Sequence, residues 1–235
     1  MGVQLIEAQT STFSTVDIDL VAGSHNYTVL CVSFVWANSD TVSKSVAPTL
    51  QSSSFTLRAS QTVTDYFGGV GDVAVGVWLW SFSNPSVGSG PYTVSFGSYT
   101  GDDAFNIVYV LSNSDYAGSF NNSQATPGSS YQQFTGGSFT KQGALFLHAS
   151  GHISEADIRY TDPTYLPNEN SYIHGTGTKF TASGEGTVYG RLYSALKRHR
   201  GATHDTEITG YHFGVGSGTI WANCRLDIDT KRFDQ

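Results

Sequence analysis

Histidine and carboxylate side chains gather in one segment of the second half of the chain, and these residue types bind zinc or iron or transfer protons. The segment contains His199, His204, Asp205, Glu207 and His212. If it is a strand, alternate residues share a face, so the cluster divides between two faces. We therefore interpret it as a polar loop and strand rather than a metal site.

Three further pairs of possible ligands have simpler explanations. The pairs are His148 with His152, Asp102 with Asp103, and Asp227 with Asp229. The histidines are four residues apart, but no helix is evident around them, so we interpret them as scattered surface or buried side chains. The aspartate pairs offer oxygen ligands for calcium. A turn explains the first of these pairs and a solvent-facing strand explains the second.

The common catalytic and nucleotide-binding motifs are absent from the sequence. It contains no Gly-x-Ser-x-Gly, P-loop, dinucleotide fingerprint, His-Glu-x-x-His or paired Cys-x-x-Cys. We predict that the protein is not an enzyme, has no catalytic residues, and binds no metal or cofactor.

The composition of the 235 residues predicts a packed, weakly charged protein. Hydrophobic residues make up 39%, aromatic residues 13% and charged residues 13%, the last about half the usual share of about 25%. Disordered chains have few aromatic residues and many charges. We therefore expect a core of aromatic and aliphatic side chains, with Ser, Thr, Asn and Gly facing solvent.

Charge and hydropathy argue against nucleic acid and membrane partners. Residues 1–120 carry two basic and nine acidic residues, a net charge of −7, and the remainder is neutral. The basic run Lys197-Arg198-His199-Arg200 is interpreted as a solvated turn. The longest apolar run, Tyr27 to Trp36, is far shorter than the ~20 residues of a spanning helix. The start, MGVQLIEAQTS, lacks the features of a secretory signal, which predicts synthesis in a cytoplasm.

Short segments rich in Val, Thr, Tyr, Phe and Trp, each bounded by turn residues, predict an all-β protein. The predicted strands of the first half are Val3–Ala8, Val16–Leu20, Tyr27–Trp36, Ser53–Ser60, Val73–Ser83, Tyr92–Ser98 and Phe105–Leu111. Their spacing predicts an antiparallel β-sandwich of jelly-roll type. The best helix candidate is Tyr189–His199, although flanking glycines allow a strand there too.

The stretch WLWSFSNPSVGSGPYTVSF, Trp78 to Phe96, predicts the centre of the fold. Residues 73–82 are apolar on both faces, which is typical of a central strand covered on both sides. We expect a second sheet on one face and a long loop or a neighbouring subunit on the other. Asn84-Pro85 ends the strand and an alternating strand follows, so we predict a β-hairpin with a long turn.

The polar, Gly- and Ser-rich residues 113–142 are interpreted as a long loop within one domain of residues 1–235. The alternative is two β domains, 1–112 and 143–235. Cys31 and Cys224 lie in strand-like runs, and a reducing compartment favours two buried free thiols over a disulfide.

Large aromatic side chains are the candidate interface or core residues. They are Trp36, Trp78, Trp80, Phe82 and Trp221. Exposed aromatics can also stack on sugars, so a carbohydrate ligand is an alternative to core packing and subunit contacts.

The order of these segments resembles the β-sandwich minor structural proteins of tailed bacteriophages and prophages. The resemblance covers most of residues 10–112 and the last strand, TIWANCRLDID. The matching positions are Trp78, Leu79, Trp80, Asn84, Pro85, Gly88, Val94 and Phe96.

The resemblance implies a non-enzymatic virion protein, either a capsid decoration or cement protein or a head or tail fibre component. The expected partners are further copies, with a trimer favoured, and other virion proteins such as a major capsid protein. One alternative is a carbohydrate-binding module of a phage fibre. A second is a glycan hydrolase, which needs two carboxylates facing each other across a cleft.

Overall fold

The computed structural model describes twelve stretches of the chain, and every element in them is a β-strand. The described residues are 3–11, 14–21, 26–67, 71–88, 90–115, 124–127, 131–138, 145–154, 171–181, 187–198, 205–211 and 219–230. All strand pairs within them are antiparallel. The prediction of an all-β, antiparallel protein is confirmed.

The first half of the chain supplies nine strands. They are Gln4–Ser11 (β1), Thr15–Ile18 (β2), Tyr27–Ala37 (β3), Thr49–Leu50 (β4), Ser53–Ser54 (β5), Thr56–Phe67 (β6), Gly71–Ser83 (β7), Tyr92–Ser95 (β8) and Asp103–Ser112 (β9). Five form one sheet in the order β1-β9-β3-β7-β6, and four form another in the order β2-β8-β4-β5.

The second half supplies eight more strands. They are Ser114–Asp115 (β10), Gln124–Pro127 (β11), Tyr131–Ser138 (β12), Leu145–Ser154 (β13), Ser171–Thr181 (β14), Thr187–Arg198 (β15), Asp205–Tyr211 (β16) and Thr219–Thr230 (β17). Six form a sheet in the order β10-β17-β13-β15-β14, with β11 also paired to β17, while β12 and β16 form a two-stranded sheet.

The five-stranded sheet is central, and β3 lies in its middle with all eleven residues buried. Its sequence, YTVLCVSFVWA, consists mostly of β-branched and aromatic residues, which suit a pleated surface. Strand β7 beside it is likewise buried from residue 73 to residue 81. The apolar character of both faces therefore correctly predicted a central strand.

The four-stranded sheet covers one face of the central sheet. The shared core contains side chains from both layers, including Val29, Cys31, Trp78, Trp80, Val108, Leu50, Tyr92, Val94 and Phe96. This face is covered by the chain itself rather than by a neighbouring subunit.

The six-stranded sheet covers the opposite face. That core joins Phe34, Val77 and Ile107 of the central sheet to Leu147, Ala222 and Leu226 of the outer sheet. The two layers meet closely at Gly151, where an added Cβ would lie 2.2 Å from Phe34 Cδ2 and 2.7 Å from Val77 Cγ2. Residues from both halves of the chain thus share one core.

The predicted hairpin between β7 and β8 is wrong. Strand β7 pairs with β3 and β6, whereas β8 pairs with β2 and β4 in the other sheet. Both edges of β7 are already occupied, so the chain after Asn84 crosses to the second layer. The sequence indicated the turn after β7, but it does not indicate which strand edges are free to pair.

Two interpretations of the second half are also corrected. The helix candidate Tyr189–His199 lies largely in β15, between β13 and β14, because both its neighbours are strands that satisfy its backbone groups. Lys197 and Arg198 therefore end a strand rather than form a turn, and His199 and Arg200 lie outside the described residues. Three short strands, β10 to β12, lie within the predicted loop 113–142.

The interpretation of both cysteines as buried free thiols is confirmed. Cys31 belongs to the core beneath the four-stranded sheet, and Cys224 belongs to the core on the opposite face of the central sheet. Cys224 Sγ donates to the backbone oxygen of Val77 at 3.5 Å. The central sheet separates the two thiols.

The close approach at Gly151 gives a test of this layered packing. We expect Gly151→Ala to lower the free energy of unfolding by roughly 1–3 kcal/mol, because the new methyl group overpacks the core against Phe34. Urea denaturation measures this value. Gly88→Ala is the control, because no atom lies within 4 Å of its added Cβ, and it should change stability by less than about 0.5 kcal/mol. Equal stability of the two variants would contradict the packing.

Candidate functional site

A cavity of about 150 Å³ lies beside the core between the central and four-stranded sheets. Polar side chains of Ser14, Lys44, Tyr99 and Asn106 line it together with Phe96, Gly97 and Ala104. None of these residues was singled out by the sequence as a site. The cavity is the one described place where a charged side chain is buried.

Lys44 is only 5% exposed although it lies between strands. The segment around it is extended, because Ser43 and Thr100 exchange two backbone hydrogen bonds of 3.0 and 2.9 Å. In an extended segment alternate residues share a side, and Val42 and Lys44 are both buried whereas Ser43 is not. The local backbone therefore turns the lysine inward.

Among the described residues, the Lys44 ammonium group has a single hydrogen-bond partner. Its Nζ donates to the backbone oxygen of Phe96, and no carboxylate of the described residues forms an ion pair with it. An ammonium group has three donors and no acceptor. A buried charge without a counter-charge is costly, so burial lowers the pKa of Lys44 below its ordinary value, while the charge of a Cys31 thiolate would act in the opposite direction.

Cys31 does not supply the missing negative charge at neutral pH. Burial raises its pKa to about 12, against smaller opposing effects of a Ser33 hydrogen bond and the Lys44 charge. The thiol lies 3.8 Å from Ser33 Oγ, which donates to Asn106 Oδ1 at 2.8 Å. Asn106 also lines the cavity, and its amide nitrogen carries two N–H donors.

Tyr99 lies at the solvent side of the cavity and is 42% exposed. Its pKa is raised, first by burial of the hydroxyl and then by the negative charges of Asp103 and Asp102. Tyr99 therefore keeps its proton at neutral pH and can donate a hydrogen bond. The cavity consequently presents several donors and one uncompensated positive charge.

Asp102 lies in the bend before β9, and Asp103 is the first residue of that strand. Asp102 Oδ2 accepts from the backbone N–H of Asn38 at 2.6 Å, and Asp103 Oδ1 accepts from that of Ala104 at 2.8 Å. Gly101 precedes them with a φ of 151°, in the region that favours glycine. Among the described residues no group of three histidine, cysteine or acidic side chains is placed to hold a metal ion.

The aromatic candidates lie mostly in the cores. Trp36, Trp78 and Trp80 are 6%, 6% and 4% exposed, and the partly buried Phe82 packs on Phe55 with ring centroids 5.5 Å apart. Trp78 also fills the space beside Gly76, where a Cβ would lie 2.2 Å from its ring. Trp221 lies in β17, with its side chain outside the described residues.

The side chains of the other candidate ligands lie outside the described residues. His148 and His152 lie in β13, Asp205 and Glu207 in β16, and Asp227 and Asp229 in β17, and the placement of these side chains lies outside the described residues. His199, His204 and His212 lie wholly outside them. The interpretation of residues 199–212 as a polar loop and strand rather than a metal site therefore stays a prediction.

The comparisons with known proteins provide no identity. No protein-family model, curated protein or solved structure matches the chain. In the part of the chain that the structure describes, no helix is long and apolar enough to cross a membrane. The site must therefore be interpreted from its own chemistry.

The buried lysine predicts an unusual pH dependence. With its pKa lowered, folded Lys44 binds fewer protons than unfolded Lys44 between that pKa and 10.5, so the native chain gains stability as pH rises through this window. We expect Lys44→Met to unfold at higher urea concentration than wild type. The stability gain of Lys44→Met over wild type should be largest at pH values below the lowered pKa of Lys44 and should shrink towards pH 10.5.

Arg58→Met is the control for this measurement, because both variants change the net charge from −7 to −8. Arg58 is only partly buried, and its replacement should produce no such trend. A stability difference between Lys44→Met and wild type that is constant from pH 6 to pH 10 would contradict the uncompensated buried charge.

Proposed function

We propose that the protein is a non-enzymatic structural component of a virion, of the decoration, cement or fibre type, and that it acts through contacts with copies of itself and with other virion proteins such as a major capsid protein. The observation that carries this proposal is the strand order of the first nine strands. The resemblance to phage structural proteins supports the same role.

The strand order supports a jelly roll in residues 4–112. A jelly roll wraps eight antiparallel strands into two facing sheets, so that the chain passes repeatedly from one layer to the other. Numbering the strands along the wrapped chain, one sheet has the order 1-8-3-6 and the other 2-7-4-5. The orders β1-β9-β3-β7 and β2-β8-β4-β5 fit this scheme once β6 is taken as an added edge strand.

The jelly roll is a fold of viral capsid proteins and also of lectins and cupins. This is an argument by analogy, because one fold hosts many functions. The described chemistry favours the structural role among these. The cavity is lined by donors with no carboxylate, whereas a hydrolase needs two. The described tryptophan side chains are buried in cores rather than presented as a platform for sugars.

Self-association is supported by the edges of the central sheet. Among the described strands, β1 pairs only with β9 and β6 only with β7, so each leaves an outer edge without a described partner. Each also carries exposed apolar side chains: Ile6 is 50% exposed on β1, and Leu57 and Tyr66 are 45% and 67% exposed on β6. Unlike edges that meet head to tail generate a closed ring when the rotation between copies closes, and a trimer is one such ring.

Solution mass tests the proposal first. We expect light scattering across a concentration series to give a defined oligomer, with a trimer favoured, because both edges can bury apolar surface on a second copy. Assemblies should appear as closed particles by electron microscopy. A monomer at every concentration, together with glycan binding on an array or release of reducing sugar from polysaccharide, would replace the structural role by one of its alternatives.

The edge contact has a matched test of its own. Tyr66→Lys places a charge on the edge of β6, and edge lysines oppose strand pairing, so we expect the oligomer to dissociate at concentrations where wild type remains associated. Val21→Lys adds the same charge at a residue that is 69% exposed but lies outside the strands, and it should leave the mass unchanged. An oligomer that tolerates both changes would place the contact elsewhere.

A further inference from the structure

The cavity around Lys44 has features of a ligand site that a structural role does not require. A lysine that is 95% shielded from solvent borders an open volume, donates to a single backbone oxygen, and has no described counter-charge. Most buried polar side chains have hydrogen-bond partners, and a buried charge without a counter-charge is costly. We propose that the Lys44 cavity binds a carboxylate group.

The donors that border the cavity define the chemistry of the ligand. Lys44 and the amide nitrogen of Asn106 are donors only, and the hydroxyl groups of Ser14 and Tyr99 can also donate. An ionised carboxylate is an acceptor only, with about four lone-pair positions. It would complete the partners of the ammonium group and supply its counter-charge in a region of low dielectric constant, where such a pair is strong.

The size and charge of the cavity favour a small monovalent anion. One water molecule occupies roughly 30 Å³ in the liquid, so a cavity of about 150 Å³ has room for a group of the size of acetate or propionate. Phe96 and Ala104 provide apolar contact for a short carbon chain. Asp102 and Asp103 act electrostatically on Tyr99 at the solvent side, which disfavours a dianion such as phosphate relative to a carboxylate.

The carboxylate can come from a free small acid or from an acidic side chain of a second copy. Each copy carries 19 acidic residues, so an association of copies could insert one into the cavity. The proposal does not depend on a virion role, because the Lys44 cavity can bind free acid in an isolated monomer.

Thermal unfolding in sodium acetate, sodium phosphate and sodium chloride at equal ionic strength tests the free-acid source. A ligand that binds only the folded state raises the unfolding midpoint by mass action. We expect acetate to raise it by a few degrees more than chloride or phosphate in wild type and in Arg58→Met. The acetate-specific increase should be lost in Lys44→Met and reduced in Tyr99→Phe. Saturation transfer from the protein to the acetate methyl protons provides a direct measure of binding.

Light scattering in acetate-free buffer tests the second source. If a carboxylate of another copy occupies the cavity, association should be lost in Lys44→Met and weakened by added acetate. An acetate effect that is identical in wild type and Lys44→Met would overturn the proposal. So would the absence of both an acetate effect and a Lys44-dependent association. A monomer with a Lys44-dependent acetate effect would support this site while contradicting the proposed oligomeric role.

Discussion

Burial of both faces of the central sheet is the constraint on which the rest of the structure depends. Strands β3, β7 and β9 present apolar side chains in both directions, so neither face can be left in water without losing roughly 1.5–3 kcal/mol per large side chain. One cover comes from strands interleaved with them in the chain. The other comes from residues beyond 144, and Gly151 allows that layer to reach Phe34. The outer sheet therefore shares a hydrophobic core with the central sheet of the first half.

The same constraint explains why the polar residues of the central sheet lie where they do. Ser33 on β3 and Asn106 on β9 face the four-stranded sheet, and the Ser33 hydroxyl donates to Asn106 Oδ1 across adjacent strands. This hydrogen-bonded pair lies at the side of the core where irregular backbone, in segment 42–46 and at the end of β8, covers the central sheet in place of regular strands. Irregular backbone supplies a carbonyl oxygen of Phe96 for Lys44, which a regular sheet would already have used. The cavity therefore forms where the covering layer is no longer a regular sheet.

Sequence patterns predicted local elements well and their pairing poorly. Each strand candidate of the first half overlaps an observed strand, because residue type and turn residues act over a few positions. Ser53–Ser60, however, merges β5 and β6, which belong to different sheets, and β4 was not predicted. The hairpin from β7 to β8 was wrong because pairing depends on which edges distant strands occupy. Tyr189–His199 was ambiguous because its apolar spacing suits a helix face as well as a strand that lies between two others. Lys44 was missed although Val42-Ser43-Lys44 alternates, since burial of a residue between strands is decided by the layer that packs over it.

At Lys44 the requirements of stability and of ligand binding oppose each other. A protein selected only as a packed scaffold would be better served by an apolar side chain at this position, because an uncompensated buried charge opposes folding. The lysine becomes favourable once an anion enters the cavity, since the pair then replaces a lone charge and the donors of Asn106 and Tyr99 gain an acceptor. Occupancy would also raise the pKa of the amine towards its ordinary value, because a nearby negative charge favours the protonated form. The stability of the covering layer and the state of the cavity are therefore thermodynamically linked, whichever molecule supplies the carboxylate.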